Sequence, residues 1–181
     1  MRPFIPVCLV ALLAAPAAFA QTKSAPAPAH PASTAKPNAP KLIGKFQDWK
    51  AATHVEAGQT VCYAFTTAQS SVPALTGRGD VNLTVSQRPQ ATRDAVAISA
   101  GFAYPANATV AVQVEAVSMD FYTAQRSAFA RDGKVAVQAF LKGKQVLARS
   151  PGPKDASVLD QFSLRGFNAA YAAINKACPG K

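Results

Sequence analysis

Residues 160–178, DQFSLRGFNAAYAAINKAC, constrain the fold more than any other stretch of the chain. Phe167, Ala170, Tyr171, Ile174, Ala177 and Cys178 recur at spacings of three and four, which places them on one face of a helix. Ser163 is a suitable N-cap, and Phe162 before it can staple onto Phe167. Pro179 and Gly180 stop the helix just past the cysteine. A helix with a single apolar stripe must lie against something, and this one delivers a thiol to whatever it lies on.

What that thiol meets depends on the compartment. Residues 1–20 read as a secretory signal: Arg2 is the positive start, residues 4–15 the apolar run, and Ala18-Phe19-Ala20 the small-x-small cleavage site. The apolar run is shorter than the ~20 residues a bilayer span requires, and no later stretch approaches that length, so no integral membrane segment is expected. Loss of the signal removes Cys8 and leaves Cys62 and Cys178 in an oxidising compartment, where two thiols most simply form one disulfide; the alternative is two free thiols. The bridge would close a loop of more than about a hundred residues, stabilising the fold by roughly 4–5 kcal/mol in the chain-entropy view.

Residues 21–40 carry Pro26, Pro28, Pro31, Pro37 and Pro40 among alanines and small polar residues, and read as a disordered tether. Residues 41–181 then have the composition of one domain. Residues 46–50 open it as a short strand with two aromatics. Residues 60–67, TVCYAFTT, form a second strand that carries Cys62, and residues 72–80 are a loop carrying Arg78. Residues 81–85, 94–100, 109–115, 117–122, 145–150 and 157–162 are further strands, several with clean apolar–polar alternation. Arg88-Pro89 and Asp132-Gly133 turn the chain, and residues 135–141 fit a short helix as well as a strand. Strands at roughly ten-residue spacing give a mainly β fold, an antiparallel β-sandwich or barrel-like domain with the C-terminal α-helix packed on it.

Three features combine into a resemblance: the opening Phe46-Gln47-Asp48-Trp49, Cys62 in the second strand, and the closing run from Phe162 through Cys178 with its SLxGF motif. Over residues 41–178 the chain resembles the invasion-associated locus B (IalB-like) family of exported bacterial proteins. The resemblance implies a β-rich periplasmic or envelope-associated domain, and a role in host interaction for some members. It implies no reaction. The chain differs from the commoner pattern in having no cysteine soon after the FxDW motif and no cysteine pair between Cys62 and Cys178.

Chemistry is sparse. The chain has two histidines, of which His30 falls in the tether; His54 could pair with Glu56 or Asp48, but a third positioned group is not evident. Two thiols and one histidine fall short of a zinc set, so neither a metal nor another cofactor is expected, and no catalytic residue is assigned. Gly77-Arg78-Gly79-Asp80 is too short for a phosphate loop, and Arg78-Gly79-Asp80 within it coincides with a tripeptide that some cell-adhesion receptors read. Without Arg2, 18 of the 19 basic residues remain against 9 acidic ones, a net charge near +9. That balance suits an anionic polymer or an acidic envelope or extracellular protein, whereas scattered lysines and arginines give no sign of a specific nucleic-acid site. Residues 119–132, MDFYTAQRSAFARD, mix aromatics with arginine as partner surfaces do, though aromatics facing a β core would look the same. The expected partner surface comprises Arg78, Arg88, Tyr122, Arg126 and Arg131. The expected function is that of an exported, non-enzymatic envelope protein that binds an envelope or extracellular partner. The alternatives are a periplasmic enzyme of unrecognised type and a structural envelope protein.

Overall fold

The computed structural model describes residues 39–88 and 93–180. The signal segment, all but the last two residues of the tether, and the Pro89 half of the Arg88-Pro89 turn lie outside them.

Alternating burial is the rule along the chain: every second residue of Asn82–Gln87, Ala95–Ser99 and Thr109–Val114 is buried, as the sequence pattern requires. Eleven strands result: β1 (Lys41–Phe46), β2 (Trp49–Glu56), β3 (Gln59–Thr67), β4 (Ser70–Val72), β5 (Asn82–Gln87), β6 (Ala95–Ser99), β7 (Thr109–Val114), β8 (Val117–Ala124), β9 (Ser127–Ala130), β10 (Gln145–Pro151) and β11 (Ser157–Ser163). Two α-helices complete the fold, α1 (Gly133–Lys142) and α2 (Phe167–Ala177).

All strands belong to one antiparallel sheet in the order β1-β2-β3-β5-β6-β9-β8-β7-β10-β11-β4. Because β4 follows β3 after two residues, the chain itself joins the two arms of that order. The switch occurs at residues 68–69, where Ala68 N–H donates to Val81 O and Gln69 N–H donates to Gln161 O, both at 2.8 Å. The sheet therefore curls towards closure, and the barrel-like form of the expected fold describes it better than two facing sheets. Leu83, Val85, Ile98, Val112, Phe121 and Phe162 fill the inner side.

The opening FxDW motif is a hairpin rather than a strand. Phe46 pairs with Trp49, and Gln47 takes the left-handed backbone that a two-residue turn demands. Residues 132–142 resolve their ambiguity as helix: Asp132 caps it, accepting from Val135 N–H at 3.0 Å, and Ala136, Val137, Ala139 and Phe140 are buried while Val135 is exposed.

The terminal helix starts later than the sequence suggests. Ser163 belongs to β11, and the N-cap is Gly166 in the left-handed region at φ 88°. A Cβ at Gly166 would collide with the Phe46 carbonyl, so glycine meets both a backbone and a packing requirement there. Phe167 packs against Trp49 at 4.8 Å and Phe140 at 5.6 Å between ring centroids. Trp49 Nε1–H donates to Ser163 O at 2.8 Å, which ties the opening hairpin to the segment that leads into α2. Of the expected stripe, Phe167, Ala170, Ile174 and Cys178 are buried, Tyr171 is half-buried and Ala177 is exposed.

Three further ties hold α2 in place. Cys178 forms a disulfide with Cys62 across a sequence separation of 116. Arg93 donates to Cys178 O at 2.7 Å, placing a cation at the negative end of the helix dipole. Tyr171 Oη–H donates to Asp94 Oδ1 at 2.7 Å, and buried Gln87 donates to the same oxygen at 2.6 Å. Burial, followed by this bond to Asp94, raises the Tyr171 pKa above the ordinary tyrosine value. Among the described residues, no helix is long and apolar enough to cross a membrane.

Candidate partner-binding face

Of the five residues expected to form one surface, Arg78 is drawn inside by the fold. Arg78 is a structural residue. Its guanidinium makes a bidentate pair with Asp160, both bonds at 2.7 Å, with the two side chains only 6% and 2% exposed. Nε–H donates to Ala100 O at 2.7 Å, Ser71 Oγ–H donates to Asp160 Oδ1 at 2.6 Å, and the guanidinium lies 4.8 Å over the Phe102 ring. A loop arginine looks like a surface residue in sequence; here a carboxylate 82 positions away draws it inside. The Arg78-Gly79-Asp80 tripeptide therefore presents no free guanidinium. Tyr104, stacked edge-on against Phe102, has its pKa pushed up to about 12 by burial and then by the Asp160 charge.

Arg126 sits on the β8–β9 turn and donates to Gly101 O at 2.6 Å. Arg88, at the end of β5, pairs with exposed Glu56 at 2.7 Å and holds that carboxyl below its ordinary pKa, first by the hydrogen bond and then by its charge. His54 stands 3.9 Å from Glu56. His54, Glu56 and Arg88 border a groove of about 430 Å³ that also includes Tyr63, Thr84 and Ser86. The histidine and carboxylate are gathered as an acid–base site would need, but Arg88 occupies the carboxylate and, among the described residues, no third group hydrogen-bonds the imidazole. Among the described residues, no three His, Cys, Asp or Glu side chains are gathered as metal ligands would be.

Tyr122 and Arg131 do come together, and they lead to a surface that the sequence reading did not assemble. Phe121 is fully buried, so period-two alternation turns Tyr122 outward, where it is 43% exposed. Tyr122 stacks on its cross-strand partner Phe129 at 5.5 Å, and Arg131 lies 5.6 Å over the Tyr122 ring. On β3 the same logic operates in reverse. Cys62, Ala64 and Thr66 face inward, so Tyr63 and Phe65 face out, 5.6 Å apart, with Lys50 5.8 Å over Phe65. Partial burial raises the Tyr63 pKa above its ordinary value. The signal was present in TVCYAFTT: once Cys62 is assigned to the core side, Tyr63 and Phe65 cannot join it.

Strand register sets these pairs in line. Lys45 pairs with Lys50, Lys50 with Phe65, Phe65 with Thr84, Thr84 with Ala97, Ala97 with Phe129, and Phe129 with Tyr122. One row of outward side chains thus crosses six neighbouring strand pairings, with an aromatic pair and a cation towards each end and small residues between. None of Phe65, Thr84, Ala97, Phe129 and Tyr122 is buried, so no other described element covers the row. An antiparallel sheet face that is left to water usually carries polar residues there. Four aromatic rings on this one depart from that pattern. Comparison with known proteins finds no matching family model, no matching curated protein and no matching solved structure.

Proposed function

We propose that this protein is an exported, non-enzymatic binding module that engages an envelope or extracellular partner through the outer face of β3, β5, β6, β9 and β8. The observation that carries the reading is the uncovered row with its two aromatic pairs, each under a cation. Tyrosine and arginine are enriched among the few residues that supply most of the binding energy at protein interfaces. The signal-like residues 1–20 and the disulfide support export to the periplasm or cell surface, and the IalB-like features of residues 41–178 support the same assignment.

Cross-strand aromatic pairs also stabilise a sheet, by roughly 0.2–1 kcal/mol each, so the rings have a structural use whether or not they bind. The test must separate the two. The exported form of the protein and its Phe65→Ala/Tyr122→Ala variant are immobilised and challenged with an envelope extract at low and moderate salt. The wild type is expected to retain a partner that is weakened by salt, and the variant to lose it while keeping a cooperative thermal transition. Equal retention by a folded variant would overturn the assignment of this face.

A further inference from the structure

We infer that the ligand of this face is an acidic polysaccharide that lies across the strands along the aromatic row. The inference rests on the binding-module reading and names its ligand class. Three intervals separate β3 from β9 in the sheet order, about 14 Å at the usual strand spacing. A ligand touching both aromatic pairs must therefore be extended and must offer several flat apolar faces in succession. Pyranose rings do so, and so do nucleobases.

The floor between the pairs distinguishes them. Thr84 and Ala97 form it in the central row, with Ser86 and Ala95 beside them in register. It offers hydroxyls to a hydroxyl-rich chain and small side chains that let rings lie close. It contains no cation. A nucleic-acid strand carries a charge at every nucleotide and is normally tracked by a continuous basic groove. Among the described residues of this row, the free positive charge lies at the ends, Lys45 and Lys50 on one side and Arg131 on the other. Arg88 is taken by Glu56, and Asp120, two residues before Tyr122 on the same strand, offsets part of the charge at that end. Neutral rings in the middle and cations at the ends match a polymer whose carboxylates can be met several rings apart.

The test measures binding of labelled oligogalacturonates of graded length, dextran oligomers of the same lengths, and oligo(dT), to the exported protein. Long oligogalacturonates are expected to bind, and dextrans at least tenfold more weakly. Fragments too short to reach both aromatic pairs should lose most of the affinity. Phe65→Ala and Tyr122→Ala should each weaken binding about tenfold, whereas Lys50→Gln/Arg131→Gln should remove the preference for oligogalacturonate over dextran. Tighter binding of oligo(dT) with a steep salt dependence would overturn the inference in favour of nucleic acid. Absence of oligosaccharide binding, alongside a face-dependent partner from the envelope extract, would overturn the ligand class and leave the binding face standing. Oligosaccharide binding unaffected by all four substitutions would overturn both.

Discussion

Replacing Arg78 with leucine isolates the largest electrostatic commitment in the fold. The change leaves the Asp160 carboxylate 2% exposed, with the Ser71 hydroxyl as its remaining side-chain partner. Removing one member of a buried, hydrogen-bonded pair costs about 3–5 kcal/mol, because the other charge stays desolvated and unpaired. The domain of about 140 residues unfolds with an entropy near 0.3 kcal/mol per kelvin, so that cost lowers Tm by roughly 10–17 °C. The double variant Arg78→Leu/Asp160→Leu removes both charges and should recover most of the loss, since apolar pairs substitute well for buried ions. Thermal unfolding of wild type, both single variants and the double variant by circular dichroism closes the cycle. If Arg78→Leu costs less than about 1 kcal/mol, the pair behaves as an exposed ion pair does, and the burial argument is wrong.

Cys62→Ala/Cys178→Ala reopens a loop of 116 residues, for which the chain-entropy relation gives about 5 kcal/mol. A Tm fall of about 17 °C is expected, reproduced by reducing the wild type; a change within about 2 °C would show that the other anchors of α2 suffice. Tyr104 makes alkaline stability informative. Its pKa is raised from 10.0 to about 12, so stability is fully present below pH ~10 and is lost as the unfolded state ionises first between pH ~10 and ~12. The loss should reach about 2–3 kcal/mol, and Tyr104→Phe should flatten the decline of Tm over that range relative to wild type. Equal slopes for the two proteins would refute the assignment.

Most of the class-level reading was legible because it rests on local periodicity. Alternating valines and leucines specify strands, a three–four stripe specifies the terminal helix, and the expected pairing of Cys62 with Cys178 is the one the structure holds. Ser163 and the FxDW motif misled for local reasons too. A serine ahead of a helix resembles a cap whether or not Gly166 intervenes, and a two-residue turn between Phe46 and Trp49 is hidden by its aromatic flanks.

The candidate site was legible only in fragments. Tyr122 and Arg131 lie nine residues apart on one hairpin, close enough in sequence to be read together, and the structure brings them into contact. Tyr63 and Phe65 were legible as outward-facing once Cys62 faced in, but nothing local connects them with Phe129. Arg78 was placed on the surface because a loop between Pro73 and Gly79 gives no hint of Asp160. By itself, the sequence determined what each short segment would be, since helix and strand patterns depend on neighbours within about four residues. Tertiary structure decided which segments stand side by side. The order β3-β5-β6-β9-β8 turns separate aromatic pairs into one row, and the return of β4 to β11 encloses Arg78 with its carboxylate. Such pairings close loops of tens of residues, and their energy comes from contacts that no local window contains.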